Sequence, residues 1–340
     1  MIYGRFHALF SVIIYVKVRL IYQLMHNHIM VHLPTIVKAT SPEPQRNARG
    51  RDSSPPLSEG PALAREYVLI EEIGVGGTSK VYRAQSMDGR DVAVKLATGA
   101  VASKISEAHA CSLIRRETIA LEKADHDSII SLIDSGVFDG KRFMVTELLE
   151  GVGMRDYLAV RGALAFKDAK PHLLSICKAV SSLHNLGIIH CDLKPDNMKV
   201  ITGHDGTETI KIFDFGFVKF KHEGEICTDR CGPFNRLGTP NYMPREQILG
   251  NTFDHRVDIY AVGTIMYQML CGNLPFESMN PREVLDMQIN KMPEDPRTRR
   301  PELNIPWGVN AIVMRALRKR MEERFQTMDE MAKTIDNWQA

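Results

Sequence analysis

The chain has 340 residues, with 44% hydrophobic and 25% charged side chains; that is ordinary for a globular protein and long enough for one two-lobed domain or two small ones. A formal net charge of +2 indicates neither a nucleic-acid-binding surface nor an acidic tail. The six cysteines (111, 177, 191, 227, 231 and 271) are scattered rather than framed as a secreted disulfide set, so a reducing, cytoplasmic setting is expected. Cys227 and Cys231 are the one close pair, and they lack the nearby His or Cys partners of a metal site.

Residues 1–40 form an apolar N-terminal segment. Its run over 8–16 is cut by Lys17 and Arg19 before it reaches the roughly 18 residues that a spanning helix requires. No clean small-residue cleavage site follows it either. Two readings stay open for residues 1–37: a segment in weak contact with a membrane surface, or an extension upstream of a true start at Met25 or Met30. His26, His28 and His32 are taken as incidental. Residues 41–65 shift to Pro, Ser, Arg, Glu and Gly, too little apolar surface to offset ordering entropy, and are expected to be a flexible linker.

Structured sequence is expected from about residue 66. Strands are predicted over 67–70 and 81–84, flanking Gly74-Val75-Gly76-Gly77-Thr78-Ser79-Lys80, and Asp88-Gly89 turns the chain into a third strand over 91–96. Glycines between antiparallel strands let backbone N–H groups approach phosphate oxygens with no side chain in the way. A dinucleotide-binding reading fails, because a strand rather than a helix follows them. Lys95 ends an apolar strand and needs a partner if it faces inward. Glu117 supplies one from a helix predicted over 104–123. Strands over 129–133 and 142–147, joined at Asp139-Gly140, complete a small antiparallel sheet, and a lobe boundary is placed near 148–153.

A helix over 167–186, with Leu173, Leu174, Cys177, Val180, Leu183 and Leu186 inward, delivers the chain to His190-Cys191-Asp192-Leu193-Lys194-Pro195-Asp196-Asn197. Asp192 is suited to take or orient a hydroxyl proton, Lys194 to neutralise an adjacent anion, and Asn197 to offer a carbonyl oxygen to a hard cation. Those are the parts of a phosphoryl-transfer site. Two short strands follow, over 198–201 and 209–213, and place Asp214-Phe215-Gly216 where Asp214 shares Mg²⁺ with Asn197. A long irregular connection over 217–247 is expected to be functional. The run 257–270 is apolar nearly all round, a helix for the centre of a lobe, closed by Gly272. Further helices are predicted over 281–290, 307–319 and 327–338.

With these motifs in this order, residues 66–338 resemble the eukaryotic-type protein kinase family, serine/threonine class, with a bacterial character in the compact loops. The resemblance implies an α+β fold in two lobes: 66–149 as an antiparallel sheet plus one helix, and 150–338 mainly helical. It implies ATP and Mg²⁺ as cofactors and a protein bearing Ser or Thr as partner. The glycine loop, Ile73, Gly74, Val75, Gly76, Gly77, Thr78, Ser79, Lys80 and Val81, would cover the nucleotide. Thr146 resembles the residue that precedes the hinge, here Glu147, Leu148 and Leu149. Lys95, paired to Glu117, would hold the α- and β-phosphates. Asp192 and Lys194 would serve the hydroxyl, and Asn197 and Asp214 the metal. Gly238-Thr239-Pro240 and Lys194 favour protein over small-molecule substrates.

Three positions depart from the family pattern. Ser79 replaces a third glycine, with a modest effect expected on nucleotide affinity. Pro244-Arg245-Glu246 stands for the usual Ala-Pro-Glu, and Glu246 is expected to pair with Arg324. Cys191 replaces an arginine that binds a loop phosphate in the family, and cysteine supplies no bidentate cation. Activation through that contact, on Thr228 or Thr239, is therefore not expected. The alternative to an enzyme is a pseudokinase, a nucleotide-binding or scaffolding module, but Lys95, Asp192, Asn197 and Asp214 are all in place.

Overall fold

A computed structural model describes residues 67–98, 106–203, 205–221 and 240–338, together with a three-residue strand, Thr35–Val37. The first strands are β1 (Tyr67–Val75), β2 (Ser79–Ser86) and β3 (Asp91–Ala97). Helix α1 (Glu107–Lys123) comes next, followed by β4 (Leu132–Phe138) and β5 (Lys141–Glu147). These five strands pair antiparallel in the order β1-β2-β3-β5-β4. Tight turns make that order possible. Asp139 (φ +49°) and Gly140 (φ +74°) take the left-handed conformation that a two-residue hairpin demands, and Gly89 (φ +82°) takes it in the longer turn between Ser86 and Asp91.

Helix α1 starts at Glu107, later than the apolar pattern indicates, because the Ser106 hydroxyl accepts from the His109 N–H and caps it there. The predicted strand at 129–133 also begins later. Ile129 bridges to Ile212, and the Ile130 N–H donates to the Ile212 carbonyl at 2.9 Å. That stretch therefore stitches the two lobes together before β4 begins.

The second lobe opens with β6 (Val152–Gly153), α2 (Met154–Arg161) and α3 (Phe166–Asn185). Leu173, Cys177, Val180 and Leu183 are buried on α3 as expected; Leu174 is half-buried, and Leu186 is exposed at the helix's C-terminal cap. Next come β7 (Ile188–Ile189), β8 (Met198–Thr202), β9 (Glu208–Ile212) and β10 (Lys219–Phe220). β9, β8 and β6 form a small antiparallel sheet, and β7 pairs with β10. This layout sets residues 190–197 and 213–217 side by side. After them come α4 (Arg245–Ile248), α5 (Arg256–Cys271), α6 (Pro281–Asn290), α7 (Pro296–Arg299), α8 (Trp307–Ala316) and α9 (Met328–Asn337). Among the described residues no helix is long and apolar enough to cross a membrane.

Helix α5 is the axis of this lobe. Every residue but Arg256 and Gln268 is buried, and Gly272 (φ +76°) ends it in a left-handed turn. Gly263 lets α8 come close, since a Cβ there would lie 2.6 Å from that of Ala316. The lobe's far side is closed by Arg324. It is fully buried against the Tyr260 ring and bonds Glu246 at 2.6 and 3.1 Å, as well as the carbonyls of Arg318, Lys319 and Arg256. The altered Pro244-Arg245 sequence leaves this pair intact, because Pro244 takes the extended conformation of an N-cap. Breaking such a pair strands a buried charge. Arg324→Leu is expected to lower the unfolding free energy by about 3–5 kcal/mol, read by urea denaturation.

Candidate active site

Between the sheet lobe and the helical lobe lies a cleft of about 680 Å³. Residues 73–79, Val81, Lys95, Glu117, Glu147, Leu149, Asp192, Lys194, Asn197 and Asp214 all border it. Lys80, named with them from the sequence, does not. Strand alternation turns it to the opposite face from Ser79 and Val81, where its ammonium pairs with Glu72 at 2.8 Å.

The glycine segment is closed by a hydrogen bond from the Gly76 N–H to the Ser79 carbonyl at 2.8 Å. A Cβ added at Gly74 or Gly76 would meet only ordinary contacts, 3.7 and 3.5 Å at the nearest. The protein's own packing therefore does not require glycine at these two positions. Ser79 is the first residue of β2 and buried in its regular ladder. Its side chain is accommodated within the strand pairing.

β3 and α1 bring Lys95 and Glu117 together. The ammonium lies 2.7 and 3.0 Å from the Glu117 oxygens and 2.9 Å from Asp214 Oδ1. Burial alone would depress the Lys95 pKa, but Glu117 and Asp214 outweigh it and hold the lysine above its usual value. Lys95 likewise holds Asp214 below the ordinary carboxylate range. Glu117 also accepts the Phe215 N–H at 3.1 Å, so one carboxylate ties α1 to both β3 and the 214–216 turn. Asp214 has φ +65°, a conformation that a side chain takes only when its surroundings enforce it.

On the other wall, Asp192 Oδ2 accepts from Lys194 Nζ at 2.7 Å and from Asn197 Nδ2 at 3.0 Å. Asn197 Nδ2 also donates to the Asp192 carbonyl at 2.9 Å. With its nitrogen committed to Asp192, the Asn197 amide directs its carbonyl oxygen the other way. Burial raises the Asp192 pKa, and Lys194 opposes that rise without cancelling it. The loop itself hangs from Asp258 on α5, which accepts from the N–H groups of His190 and Cys191 and from His184 Nε2, each at 2.9 Å. Burial pushes Asp258 up, but these donors outweigh it and hold it below the usual range. Cys191 takes φ +66° and packs with Ile189, Phe253 and Val257.

Residues 67–334 match the sequence profile of the protein kinase domain. The chain belongs to the protein kinase family. It is similar to the serine/threonine-protein kinase pkn3 of Myxococcus xanthus, 31% identical over 271 residues, covering 78% of this chain and 48% of that protein. It is also similar to the serine/threonine-protein kinase PknB of Mycobacterium tuberculosis, 31% identical over 275 residues, with coverage of 79% and 42%. A probable serine/threonine-protein kinase of Clostridium acetobutylicum matches at 30% over 282 residues, with coverage of 82% and 40%. The chain thus spans less than half the length of these relatives.

The kinase cleft also has apolar lining that motif reading did not name: Ala93, Ile130, Met144 and Phe213 border it, beside the hinge residue Leu148. Strand alternation carried the signal for two of them, since Ala93 shares a face with Lys95 and Met144 with Thr146. Thr146 is buried at the cleft's edge. Glu147 faces the cleft through its backbone, its carboxylate being engaged by the Ser131 N–H and Lys211. Lys199 Nζ, from β8, fixes the neighbouring Leu149 carbonyl at 2.7 Å. Cys227, Thr228, Cys231, Gly238 and Thr239 lie outside the described residues.

The lowered Asp258 pKa sets a pH dependence. Its contribution to stability is complete above the unfolded-state carboxylate value of about 4 and is lost as pH falls through the lower folded value. Asp258→Asn is therefore expected to cost about 2–3 kcal/mol at neutral pH. In urea denaturation that difference should shrink once the pH drops below about 4.

Proposed function

We propose that residues 67–338 transfer the γ-phosphoryl group of ATP to a serine or threonine hydroxyl of a protein substrate. The carrying observation is the Asp192 carboxylate, held by Lys194 and Asn197 across the cleft from the Lys95–Glu117–Asp214 cluster. Phosphoryl transfer asks for positioning and charge neutralisation more than for covalent help, and this cleft supplies both.

The residues fit each component. The glycine segment 73–79 and Val81 would cover the nucleotide, Leu149 and the Glu147 backbone would border its base, and Lys95 would meet the phosphates. The outward carbonyl oxygen of Asn197 and the ionised Asp214 are hard oxygen donors, suited to a Mg²⁺ that keeps phosphate and water oxygens as its other ligands. Bound there, Mg²⁺ would supply charge neutralisation on the phosphate oxygens. Asp192 would accept the proton of the attacking hydroxyl, and Lys194 would balance charge as the new oxygen–phosphorus bond forms and the bond from the γ-phosphorus to the departing ADP breaks. Glu117 acts through Lys95, which it holds in place. We place this activity in the cytoplasm, in keeping with the scattered cysteines.

The test is transfer of label from [γ-³²P]ATP with Mg²⁺ to a basic protein. Asp192→Ala and Asp214→Asn are each expected to lower it by about 10²–10⁴-fold, and full activity in either would overturn the assignment. Because Lys194 pulls the Asp192 pKa down, Lys194→Met should move the acid limb of kcat/KM to higher pH. With Cys191 in place of a cation, phosphatase treatment should leave the rate within about twofold. A large loss that depends on Thr228 or Thr239 would refute that expectation.

A further inference from the structure

The peptide that joins Cys191 to Asp192 sets where the Asp192 carboxylate points. Cys191 occupies the left-handed region at φ +66°, which a residue with a Cβ leaves unless its neighbours hold it. The peptide before Cys191 is held by Asp258, through N–H groups at 2.9 Å. The peptide after it donates its N–H to His190 Nδ1 at 3.4 Å, while its carbonyl accepts a buried hydrogen bond from Gln247 Nε2 at 3.0 Å. Gln247 is 4% exposed and lies on α4, next to Glu246, which Arg324 anchors to the rest of the lobe. A cavity of about 10 Å³ borders Cys191, Asp192, Gln247 and Asp258.

We propose that Gln247 is a positioning residue for phosphoryl transfer: by holding the Cys191 carbonyl it fixes the direction of Asp192, and it links the catalytic loop to segment 240–248. Lys194 and Asn197 orient the carboxylate within its own loop; Gln247 orients that loop against α4. This rests on reading Asp192 as the acceptor of the hydroxyl proton. The role requires a donor at Nε2, and that sets up a discriminating substitution. In Gln247→Glu a protonated carboxyl can donate to the Cys191 carbonyl, but an ionised one cannot. The titratable groups around the cavity are Asp192 and Cys191 from the loop, Asp258 from α5, and Tyr242 beside α4. Its two carboxylates disfavour a third ionised one, so acidification restores the donor.

The experiment compares wild type, Gln247→Leu and Gln247→Glu in transfer to a basic protein, with both substrates varied across pH. Gln247→Leu is expected to lower kcat by about 10–100-fold, with KM for ATP within about twofold of wild type. The kcat of Gln247→Glu, divided by that of wild type at the same pH, should rise as pH falls. Iodoacetamide labelling reads the loop without turnover: Cys191 in Gln247→Leu should react about fivefold faster or more, with buried Cys177 and Cys271 unchanged. The proposal is overturned by any one of three results. These are a raised KM for the protein substrate at unchanged kcat, a Gln247→Glu profile parallel to wild type, or equal Cys191 labelling in a folded Gln247→Leu. If Gln247→Leu does not fold, the Gln247→Glu profile decides alone. A wild type that transfers nothing refutes the kinase reading and this inference with it; an active wild type matched by both variants refutes the inference only.

Discussion

The carboxylate of Asp258 is the constraint on which the site depends. It sits 1% exposed in the most buried helix of the molecule and receives two backbone N–H groups and an imidazole nitrogen. A buried charge so placed is tolerable only because every donor is aimed at it. The loop in turn adopts a left-handed residue because the charge is there. Neither feature makes sense without the other. The mostly apolar, tightly packed surround of α5 has a low dielectric, which strengthens the few polar contacts it contains.

Lys95 plays a complementary part at the lobe junction. Its ammonium contacts a carboxylate from α1 and another from the turn after β9, so three separate elements converge on one charge. Glu117 reaches Phe215 as well, which makes the position of α1 and the conformation of 214–216 a single variable. Between these two charge centres the cleft holds an ionised Asp214 and an Asp192 of raised pKa. Two carboxylates in one cleft are thereby set to different proton affinities by their neighbours.

Much of this was legible in the sequence. The hairpin turns, the buried central helix and the short strands around 190–197 each carry a local signal, either turn chemistry or periodicity. Lys95, Glu117, Asp192, Lys194, Asn197 and Asp214 all border the cleft because the motifs fix their places on strands and turns. What could not be read depends on contacts distant along the chain. Ile129 and Ile130 look like a strand by composition, but they sit on a single bridge to Ile212, whose carbonyl accepts the Ile130 N–H and whose own N–H donates to the Ser128 carbonyl. Leu186 continues an apolar stripe past the point where the helix stops. Lys80 belongs to the glycine segment by position and to the outer face by strand alternation. Gln247 carries no motif; its importance lies in a carbonyl 56 positions earlier in the chain.

That dependence on distant contacts has a further consequence for how the protein comes into being. The His190 and Cys191 amides meet their acceptor 68 and 67 residues further on. On a ribosome, the whole stretch from 190 to 197 emerges long before Asp258 does. Contacts of such sequence separation form late, because loop closure must come first. A nascent or prematurely ended chain therefore carries every residue of the loop without its geometry. The loop cannot take this geometry until helix α5 has been made.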